Sequence, residues 1–262
     1  MNFTPMTLEL DDYAAKVGEY FEKKSGKVAR KNTDKWQSIL KSPSTLLPED
    51  VKEIVRAEVP QGKNLVMYGH GSYHHFTYGL CAEIADKQSK EYAYVHIDNH
   101  HDTYHEHEGM FNCGSFVRRL LTETNVKSVR YIGSAPPVDF VDFSIDGTLL
   151  KPGAIKSVST GKVTESVKSL EALLEGTPDD VYLTIDLDVM PQRYVTTSAG
   201  KAWGVGMMDP KTLMKTVDFI KEKKNIIGAD ILGYTGGSNG TGLGVYSKLA
   251  GRLVGEEIRL TC

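Results

Sequence analysis

The sequence has little of what several classes of protein require. Its three cysteines form no CxxC pair, which argues against a disulfide framework and against a cysteine-rich zinc site. Its 31 basic residues are outnumbered by 34 acidic ones and form no long basic run, so we expect no nucleic-acid surface. No apolar run approaches the roughly 18 residues of a membrane-spanning helix, so we expect no membrane span.

The first residues, MNFTPMTLELDDYAAK, have neither the basic stretch nor the apolar core of a secretory signal. Together with the odd number of cysteines, this predicts a reduced, cytoplasmic protein. The 262 residues are 40% hydrophobic and 25% charged, which is typical of a globular chain. A chain of this length forms one large α/β domain or two small ones.

Short apolar runs alternate with longer amphipathic ones along most of the chain. The predicted strands are 64–70, 92–98, 128–135, 181–188 and 225–234, and the predicted helices are 76–88, 114–124, 162–176, 209–224 and 243–260. This alternation predicts a three-layer α/β/α fold with a mainly parallel central sheet. Residues 1–60 are predicted to form an N-terminal helical extension to a domain of residues 61–262. Residues 136–160 are irregular and are expected to hold a hairpin or a lid.

All eight histidines lie between His70 and His107, with aspartates among them. In parallel sheets, ligands bind at the carboxyl ends of the strands, so polar residues that follow strands are expected to meet at one edge. Three predicted strands are followed by such residues: His74 after the first, Asp98 and His100 after the second, and Asp186 and Asp188 after the fourth. Carboxylates and neutral imidazoles together suit divalent ions such as manganese, zinc or iron.

Each pattern has a simpler explanation when it stands alone. A DxD pair at a strand end is often a turn or a helix cap, and the HH and HEHE pairs are compatible with a solvated loop. Asp186 and Asp188, however, lie between apolar runs, where two carboxylates are costly without a neutralising cation. The convergence of three strand ends therefore favours a metal site.

Three segments resemble the metal-binding motifs of the arginase–agmatinase ureohydrolases, whose fold is shared with histone-type deacetylases. They are GSYHHFT (71–77), DNHHD (98–102) and VYLTIDLDVMP (181–191), and the resemblance covers residues from about 64 to 235. It implies an arginase–deacetylase-like fold, an arginase-like metallohydrolase domain over 61–262, and two manganese ions per chain. By resemblance, one ion is held by His74, Asp98, Asp102 and Asp186. The other is held by His100 and Asp188, with Asp98 and Asp186 bridging.

The resemblance also implies a reaction, the hydrolysis of a guanidino C–N bond with release of urea. Two closely spaced cations suit such a reaction, because together they activate a water against a poor electrophile. Asp102 is expected to orient that water and to pass its proton to the leaving amine. His75 and His101 are expected to be neighbours of the ligands rather than ligands.

The sequence departs from the family pattern where a proton shuttle is expected. Ureohydrolases have a His-Gly pair downstream of the second motif, and the corresponding segment here, FNCGSFVRRLL, places Cys113 at that position. A cysteine near a helix N-terminus can have a lowered pKa, although a small buried residue is an equally good reading. His105 and His107 on the same loop are the alternative shuttles.

A second departure concerns substrate binding. Arginases place a glutamate near the last strand to pair with the guanidinium, and the matching position here is Gly233. Glu106, Glu108 or Asp230 would have to replace that carboxylate. The loop from Asp102 to Cys113 is also shorter than in arginases and lacks their polar residues for the α-amino and α-carboxylate groups. The resemblance to peptide arginases therefore predicts arginine within a peptide as substrate and ornithine as product.

Other functions remain open at this level. A small guanidino compound such as agmatine is one alternative substrate. A deacetylase-like amidohydrolase with a single zinc is another reading, and a metal count separates it from a ureohydrolase. A non-enzymatic protein that binds a guanidino ligand is the third. A homo-oligomer is possible for all of them, since the relatives are commonly trimers or hexamers.

Overall fold

The computed structural model describes residues 3–25, 28–40, 42–43, 46–104, 111–134, 144–145, 148–149, 154–197, 204–236 and 241–255. The strands are β1 (Thr4–Glu9), β2 (Ala29–Asn32), β3 (Asn64–Met67), β4 (Tyr92–Ile97), β5 (Val126–Ile132), β6 (Ser144–Ile145), β7 (Thr148–Leu149), β8 (Ile155–Val158), β9 (Asp180–Asp186) and β10 (Asn225–Leu232). The helices are α1 (Asp12–Ser25), α2 (Gln37–Leu40), α3 (Pro48–Glu58), α4 (Phe76–Lys87), α5 (Phe116–Glu123), α6 (Thr160–Glu165), α7 (Lys168–Leu174), α8 (Pro210–Lys223) and α9 (Thr241–Val254).

The central sheet has eight parallel strands in the order β2-β1-β3-β10-β9-β4-β5-β8. β6 and β7 form a separate antiparallel hairpin, which confirms the hairpin expected within residues 136–160. β8, from the same irregular stretch, pairs with β5 at one margin of the sheet. The carboxyl ends of all eight strands therefore lie along the same edge.

Helices cover both faces of the sheet, which confirms the three-layer α/β/α prediction. On one face, residues of α1, α7, α8 and α9 pack against the strands. On the other face, residues of α3, α4 and α5 do so. The central strands β4 and β9 are buried over their whole length, and this explains why they read as continuous apolar runs rather than alternating ones. Within the described ranges, no helix has both the length and the apolar character needed to cross a membrane.

The first 60 residues need a correction, because they contribute strands as well as helices. β1 pairs in parallel with β3, and β2 extends the sheet beyond β1. The expected boundary at residue 60 therefore runs through one sheet and does not separate an extension from a domain. Asp11 ties the same segment to the carboxyl edge, because its Oδ2 accepts a hydrogen bond of 2.8 Å from the backbone N–H of His70.

The helix predicted over 162–176 is two short helices, α6 and α7. Ser166 between them has an extended backbone, with φ −158° and ψ 131°. Its hydroxyl oxygen accepts a hydrogen bond of 3.1 Å from the N–H of Lys168 and so starts the second helix. Serine competes with helical hydrogen bonding in this way, and an amphipathic pattern does not register it.

Candidate metal centre

The predicted ligands lie at the carboxyl edge of four neighbouring strands, β3, β10, β9 and β4. His74 follows the short turn Gly71–Tyr73 after β3, and Asp98 follows β4 directly. Asp186 ends β9 and Asp188 lies in the turn Leu187–Val189 that comes next. Adjacent parallel strands thus deliver side chains from three distant parts of the sequence to one place, as the sequence predicted.

Hydrogen bonds between aspartate side chains and the nearby backbone turn the chain at the ligand cluster. Asp186 Oδ1 accepts a hydrogen bond of 2.9 Å from the N–H of Asp188, and Asp98 Oδ1 accepts one of 2.6 Å from the N–H of His100. Each is an aspartate side chain bonding its own backbone two residues further on, which turns the chain sharply. The two-residue spacing of both motifs is therefore the spacing of these turns.

Three carboxylates surround one nitrogen of His74. Its Nδ1 lies 3.0 Å from Asp102 Oδ2, 3.2 Å from Asp98 Oδ2 and 3.9 Å from Asp186 Oδ2. All four side chains are at least nine-tenths buried. This is the group that the resemblance assigned to the first ion.

A second group forms around His100. Its Nδ1 lies 3.0 Å from Asp188 Oδ2 and 3.4 Å from Asp98 Oδ1. Asp98 therefore directs Oδ2 to the first group and Oδ1 to the second, which is the position of a bridging carboxylate. Asp98, His100 and Asp188 form a compact set of potential metal ligands, with one ligand atom from each within 4.8 Å of the others.

His96 belongs to the first group and was not predicted from the sequence. It lies in β4, two residues before Asp98, and is fully buried. Its Nε2 is 2.9 Å from Asp98 Oδ2 and 3.8 Å from Asp102 Oδ2, and its ring stacks on that of His74 with centroids 4.9 Å apart. The period of two along a strand places His96 and Asp98 on one face, and that was the available signal.

Burial and crowding shift the pKa values of these groups strongly in the metal-free protein. Burial and the neighbouring Asp98 raise the pKa of Asp186 to about 7. Burial, Asp186 and Asp98 raise the pKa of Asp188 well above its ordinary value. Burial alone would lower the pKa of His100, but its hydrogen bonds to Asp188 and Asp98 raise it to about 12. Protons thus occupy the places between these ligand atoms when no cation does.

The arrangement fits divalent cations. The centre contains four aspartates: Asp98, Asp102, Asp186 and Asp188. In the described part of the chain, all of their ion pairs are with histidines, and no lysine or arginine neutralises them. Buried carboxylates without a counterion are unstable as anions, so they either hold protons or bind metal. Aspartate oxygens and imidazole nitrogens at these separations form two overlapping ligand sets that share Asp98.

A hydrogen-bond chain behind His74 fixes which of its nitrogens faces the site. Thr184 Oγ1 donates to Asp230 Oδ1, so Thr184 accepts from His74 Nε2–H at 3.0 Å. The Nδ1 lone pair of His74 is then directed at the carboxylates, where it is repelled unless a proton or a cation lies between. This orientation of a histidine by the partner of its other nitrogen is typical of metal ligands.

Asp230 itself requires a correction. The sequence offered it as a substrate-binding carboxylate, but its side chain is fully buried beneath the site. Besides Thr184, Thr77 Oγ1 donates to its Oδ2 at 2.9 Å and Tyr182 OH at 2.8 Å. Three hydroxyl donors leave Asp230 to hold the network under His74 rather than to contact substrate.

Asp102 has the only positive φ, 50°, among the described non-glycine residues. Its backbone oxygen accepts a hydrogen bond of 3.1 Å from the N–H of Val117 at the start of α5. The left-handed conformation is unfavourable for most residues but accessible to aspartate, and strain of this kind is common at functional sites. Here it brings Asp102 Oδ2 to 3.0 Å from His74 Nδ1.

Gly233 approaches the centre so closely that it has no room for a side chain. A Cβ atom built there would lie 2.2 Å from Asp186 Oδ1 and 2.9 Å from the backbone nitrogen of Leu187. Its φ of 94° is in the region that favours glycine, and its N–H donates to the oxygen of Gly69 at 2.8 Å. The carboxylate of Asp186 therefore occupies the space that a side chain at position 233 would need, so this position cannot carry the guanidinium-binding glutamate expected in arginases.

The remaining predicted residues divide into two sets. Cys113 lies near the cluster, where burial and then the carboxylates of Asp102, Asp186 and Asp98 raise its pKa to about 12 in the absence of a cation, a shift opposite to the lowered pKa considered from sequence. The segment 105–110 lies outside the described residues, and with it the predicted shuttle histidines and carboxylates: His105, Glu106, His107 and Glu108.

The two histidines expected to be neighbours also have clear surroundings. His75 is fully buried against Phe76 and Phe111, and burial followed by the proximity of His74 lowers its pKa to about 3. His101 Nδ1 lies 2.7 Å from the hydroxyl oxygen of Thr103. Neither residue belongs to the two ligand sets described above.

Comparison with known proteins places this geometry in a family. The family model described as "Arginase family" matches residues 17–235, including most of α1. A proclavaminate amidino hydrolase from Streptomyces clavuligerus shares 16% identity with a TM-score of 0.62, over 79% of this chain and 68% of that one. An arginase from Bacillus caldovelox shares 17% identity with a TM-score of 0.62, over 98% of this chain and all (100%) of that one.

A hypothetical agmatinase from Burkholderia thailandensis is similar at 18% identity and a TM-score of 0.61, over 87% of this chain and 69% of that one. A search of curated proteins finds no match. At such low identities the solved structures show a shared fold, whereas the family model spans most of the chain. Proteins of that family are metal-dependent hydrolases of guanidino C–N bonds, and the His/Asp clusters described here are consistent with this chemistry. The chain therefore belongs to the arginase family.

Proposed function

We propose that the protein is a dinuclear manganese hydrolase that removes urea from an arginine residue of a peptide and leaves ornithine. The observation that carries the proposal is the pair of ligand sets around His74 and His100, which share the carboxylate of Asp98. Four carboxylates accompany two imidazoles in the proposed set of six ligands: His74, Asp98, His100, Asp102, Asp186 and Asp188. A set so rich in carboxylate oxygen suits manganese better than zinc.

When bound, two such cations would supply Lewis-acid catalysis and would lower the pKa of a bound water molecule. In the overall reaction, the water oxygen joins the guanidino carbon, the bond from that carbon to the side-chain nitrogen breaks, and urea and an amine are formed. We assign to Asp102 the proton transfer from the water to the departing nitrogen, because its carboxylate lies at the edge of the first group and is held there by the backbone of residue 102.

Two exposed apolar side chains beside the ligands support a peptide substrate. Tyr104 is 58% exposed and lies two residues after Asp102, and Met207 is 69% exposed. The residue before Met207, Gly206, donates its N–H to the backbone oxygen of Asp188 at 2.7 Å. Single exposed apolar side chains are common on protein surfaces, but two that flank one site offer apolar surface to a ligand bound there. A peptide that continues on both sides of the arginine offers apolar surface to both Tyr104 and Met207.

The substrate class is tested by urea release from the manganese-loaded full chain. An arginine-containing peptide, free arginine and agmatine are compared at equal concentration. We expect kcat/KM for the peptide to exceed that for free arginine by at least about 100-fold, since a site built for the free amino acid would bind its charged α-groups. Urea from agmatine alone would refute the peptide proposal, and no urea from any guanidino compound would refute the hydrolase proposal.

Variants of Tyr104 and Met207, the two exposed side chains beside the ligands, extend this test. Tyr104→Ala and Met207→Ala are expected to raise KM for the peptide several-fold. Agmatine turnover should stay within about twofold, because agmatine has no peptide chain to contact these two side chains. Val167→Ala is the matched control, since Val167 is 54% exposed but lies between α6 and α7. Equal effects of all three substitutions would contradict a peptide-binding role for Tyr104 and Met207.

Two alternatives are compared with this proposal. Agmatine lacks an α-carboxylate, and one structural neighbour is an agmatine ureohydrolase from Thermoplasma volcanium, with 16% identity and a TM-score of 0.58. A deacetylase-like enzyme with one zinc would not need a second ligand set. The separation of 3.0 Å between His100 Nδ1 and Asp188 Oδ2 therefore favours the two-metal proposal over that one.

A further inference from the structure

A buried histidine outside the six proposed ligands contacts the carboxylate that both ligand sets share. His96 Nε2 lies 2.9 Å from Asp98 Oδ2, and His96 Nδ1 lies 2.9 Å from Tyr94 OH. Tyr94 and His96 occupy alternate positions of β4, and Asp98 continues this alternation directly after the strand ends, so the three side chains lie in a row on one face of the sheet. His96 and Tyr94 are both fully buried.

The hydrogen-bond directions in this row determine the tautomer of His96. Tyr94 carries one hydroxyl proton, and His96 Nδ1 is the hydrogen-bond partner of that hydroxyl within the described residues. If Tyr94 donates to Nδ1, the imidazole proton is on Nε2 and is donated to Asp98 Oδ2. The opposite tautomer would place a bare nitrogen 2.9 Å from a carboxylate oxygen, where the two lone pairs repel each other.

The rings around His96 keep it in this orientation. It stacks on His74 with an interplanar angle of 26° and on Phe116 with one of 29°, and it meets Tyr131 edge-on at 5.1 Å. A buried ring in contact with three other rings cannot rotate without disturbing them. The N–H direction towards Asp98 is therefore set by packing as well as by Tyr94.

We propose that His96 is a positioning residue of the metal centre, which donates its Nε2–H to Asp98 and so holds that carboxylate across both ligand sets. The inference deepens the proposed two-metal function and rests on it. Carboxylate ligands are oriented by hydrogen bonds from residues behind them, and loss of such a partner typically weakens metal binding 10–100-fold. Hydrogen bonds from Tyr94 through His96 thus orient the shared carboxylate of Asp98. In the same way, hydrogen bonds from Asp230 through Thr184 orient the imidazole of His74.

The test is a manganese titration of the full chain and its variants, followed by the electron paramagnetic resonance of free Mn²⁺. His96→Phe keeps a ring in the stack but removes the N–H, and we expect it to weaken manganese binding about 10–100-fold. His96→Gln keeps an amide N–H at similar reach and is expected to stay within about threefold of the wild type. Tyr94→Phe frees the imidazole and is expected to weaken binding several-fold.

Tyr92→Phe is the matched control. Tyr92 is a buried tyrosine on the same strand and face, but its hydroxyl donates to the backbone oxygen of Cys81 at 3.0 Å and not to His96. Its loss should lower the melting temperature without changing manganese affinity. Equal manganese affinity in His96→Phe and the wild type would overturn the inference.

A spectroscopic count separates positioning from direct ligation. Pulsed electron paramagnetic resonance of the manganese-loaded protein labelled with ¹⁵N-histidine should detect two coordinated imidazoles, those of His74 and His100. A third coordinated imidazole that disappears in His96→Gln would show that His96 is a ligand and would also overturn the inference. If the wild type binds no manganese at all, the proposed function fails, which is a different result from equal binding by His96→Phe.

Discussion

Gly233→Ala is the substitution whose effect follows most directly from the geometry. The added Cβ would lie 2.2 Å from Asp186 Oδ1, and Cβ atoms essentially never approach another heavy atom within 3.0 Å. The carboxylate must therefore retreat by about 0.8 Å, which is well beyond the ~0.2 Å within which metal–ligand distances are held. Because Asp186 is one of the six proposed ligands, we expect manganese affinity to fall by about 100-fold, or about 2.8 kcal/mol.

Gly236→Ala separates this effect from backbone strain. Gly236 has a φ of 98°, close to the 94° of Gly233, but the nearest atom to an added Cβ is 3.7 Å away on Tyr13. Both variants should lose about 1–3 kcal/mol of unfolding free energy from the unfavourable φ. Isothermal titration with Mn²⁺ and thermal denaturation of both variants give the two quantities. Wild-type manganese affinity in Gly233→Ala would refute the assignment of Asp186 as a ligand held against the end of β10.

Four further outcomes are expected. Thr184→Val should weaken manganese binding about 10–100-fold, because it removes the hydrogen bond between Thr184 and His74. Thr77→Val also removes a hydrogen bond to Asp230 but should leave manganese binding unchanged. Equal titration curves for the two variants would contradict a role of Thr184 in orienting His74. Cys113→Ser should keep kcat within about threefold, since burial, the main influence that raises the pKa of this thiol, favours its protonated form, and a large loss would show that the thiol takes part. Asp186→Ala should abolish urea release and lower the metal content, and normal turnover would contradict the site.

The fourth concerns pH. In the metal-free protein Asp186 has a pKa of about 7, so below that pH it holds a proton that a cation must displace. Manganese affinity should rise as the pH increases from about 6 to about 8, with protons released on binding. Titration calorimetry in two buffers of different ionisation enthalpy measures both, and an affinity independent of pH would contradict the raised pKa.

The sequence predicted the parts of the molecule that local pattern determines. The buried parallel strands β4 and β9 appear as apolar runs, and the aspartates that follow them were correctly expected at one edge of the sheet. β1 and β2 were missed, because β2 is a polar edge strand, ARKN, with three exposed positions, and only pairing with β1 makes it a strand. Propensity carries little information for such an edge.

The site was predictable as far as its motifs extend. His96 was missed because a histidine inside an apolar strand reads as a core residue, and its contact with Asp98 depends on the pleat. Asp230 was one of three carboxylates offered in place of the missing glutamate, because it lies three residues before Gly233, whereas its side chain is buried and accepts hydrogen bonds from three hydroxyls of other elements. The fit of Gly233 against Asp186 is a tertiary contact between β10 and β9, and no sequence spacing predicts it.

The central claim is that two metal ions act together in one site, and metal stoichiometry tests it most directly. Elemental analysis after manganese loading and gel filtration, with urea release from an arginine-containing peptide measured on the same sample, should give about two manganese per chain and activity. His100→Ala should retain about one manganese and release no urea, because it removes an imidazole of the second set only. One zinc per chain with no urea from any guanidino compound would contradict the account.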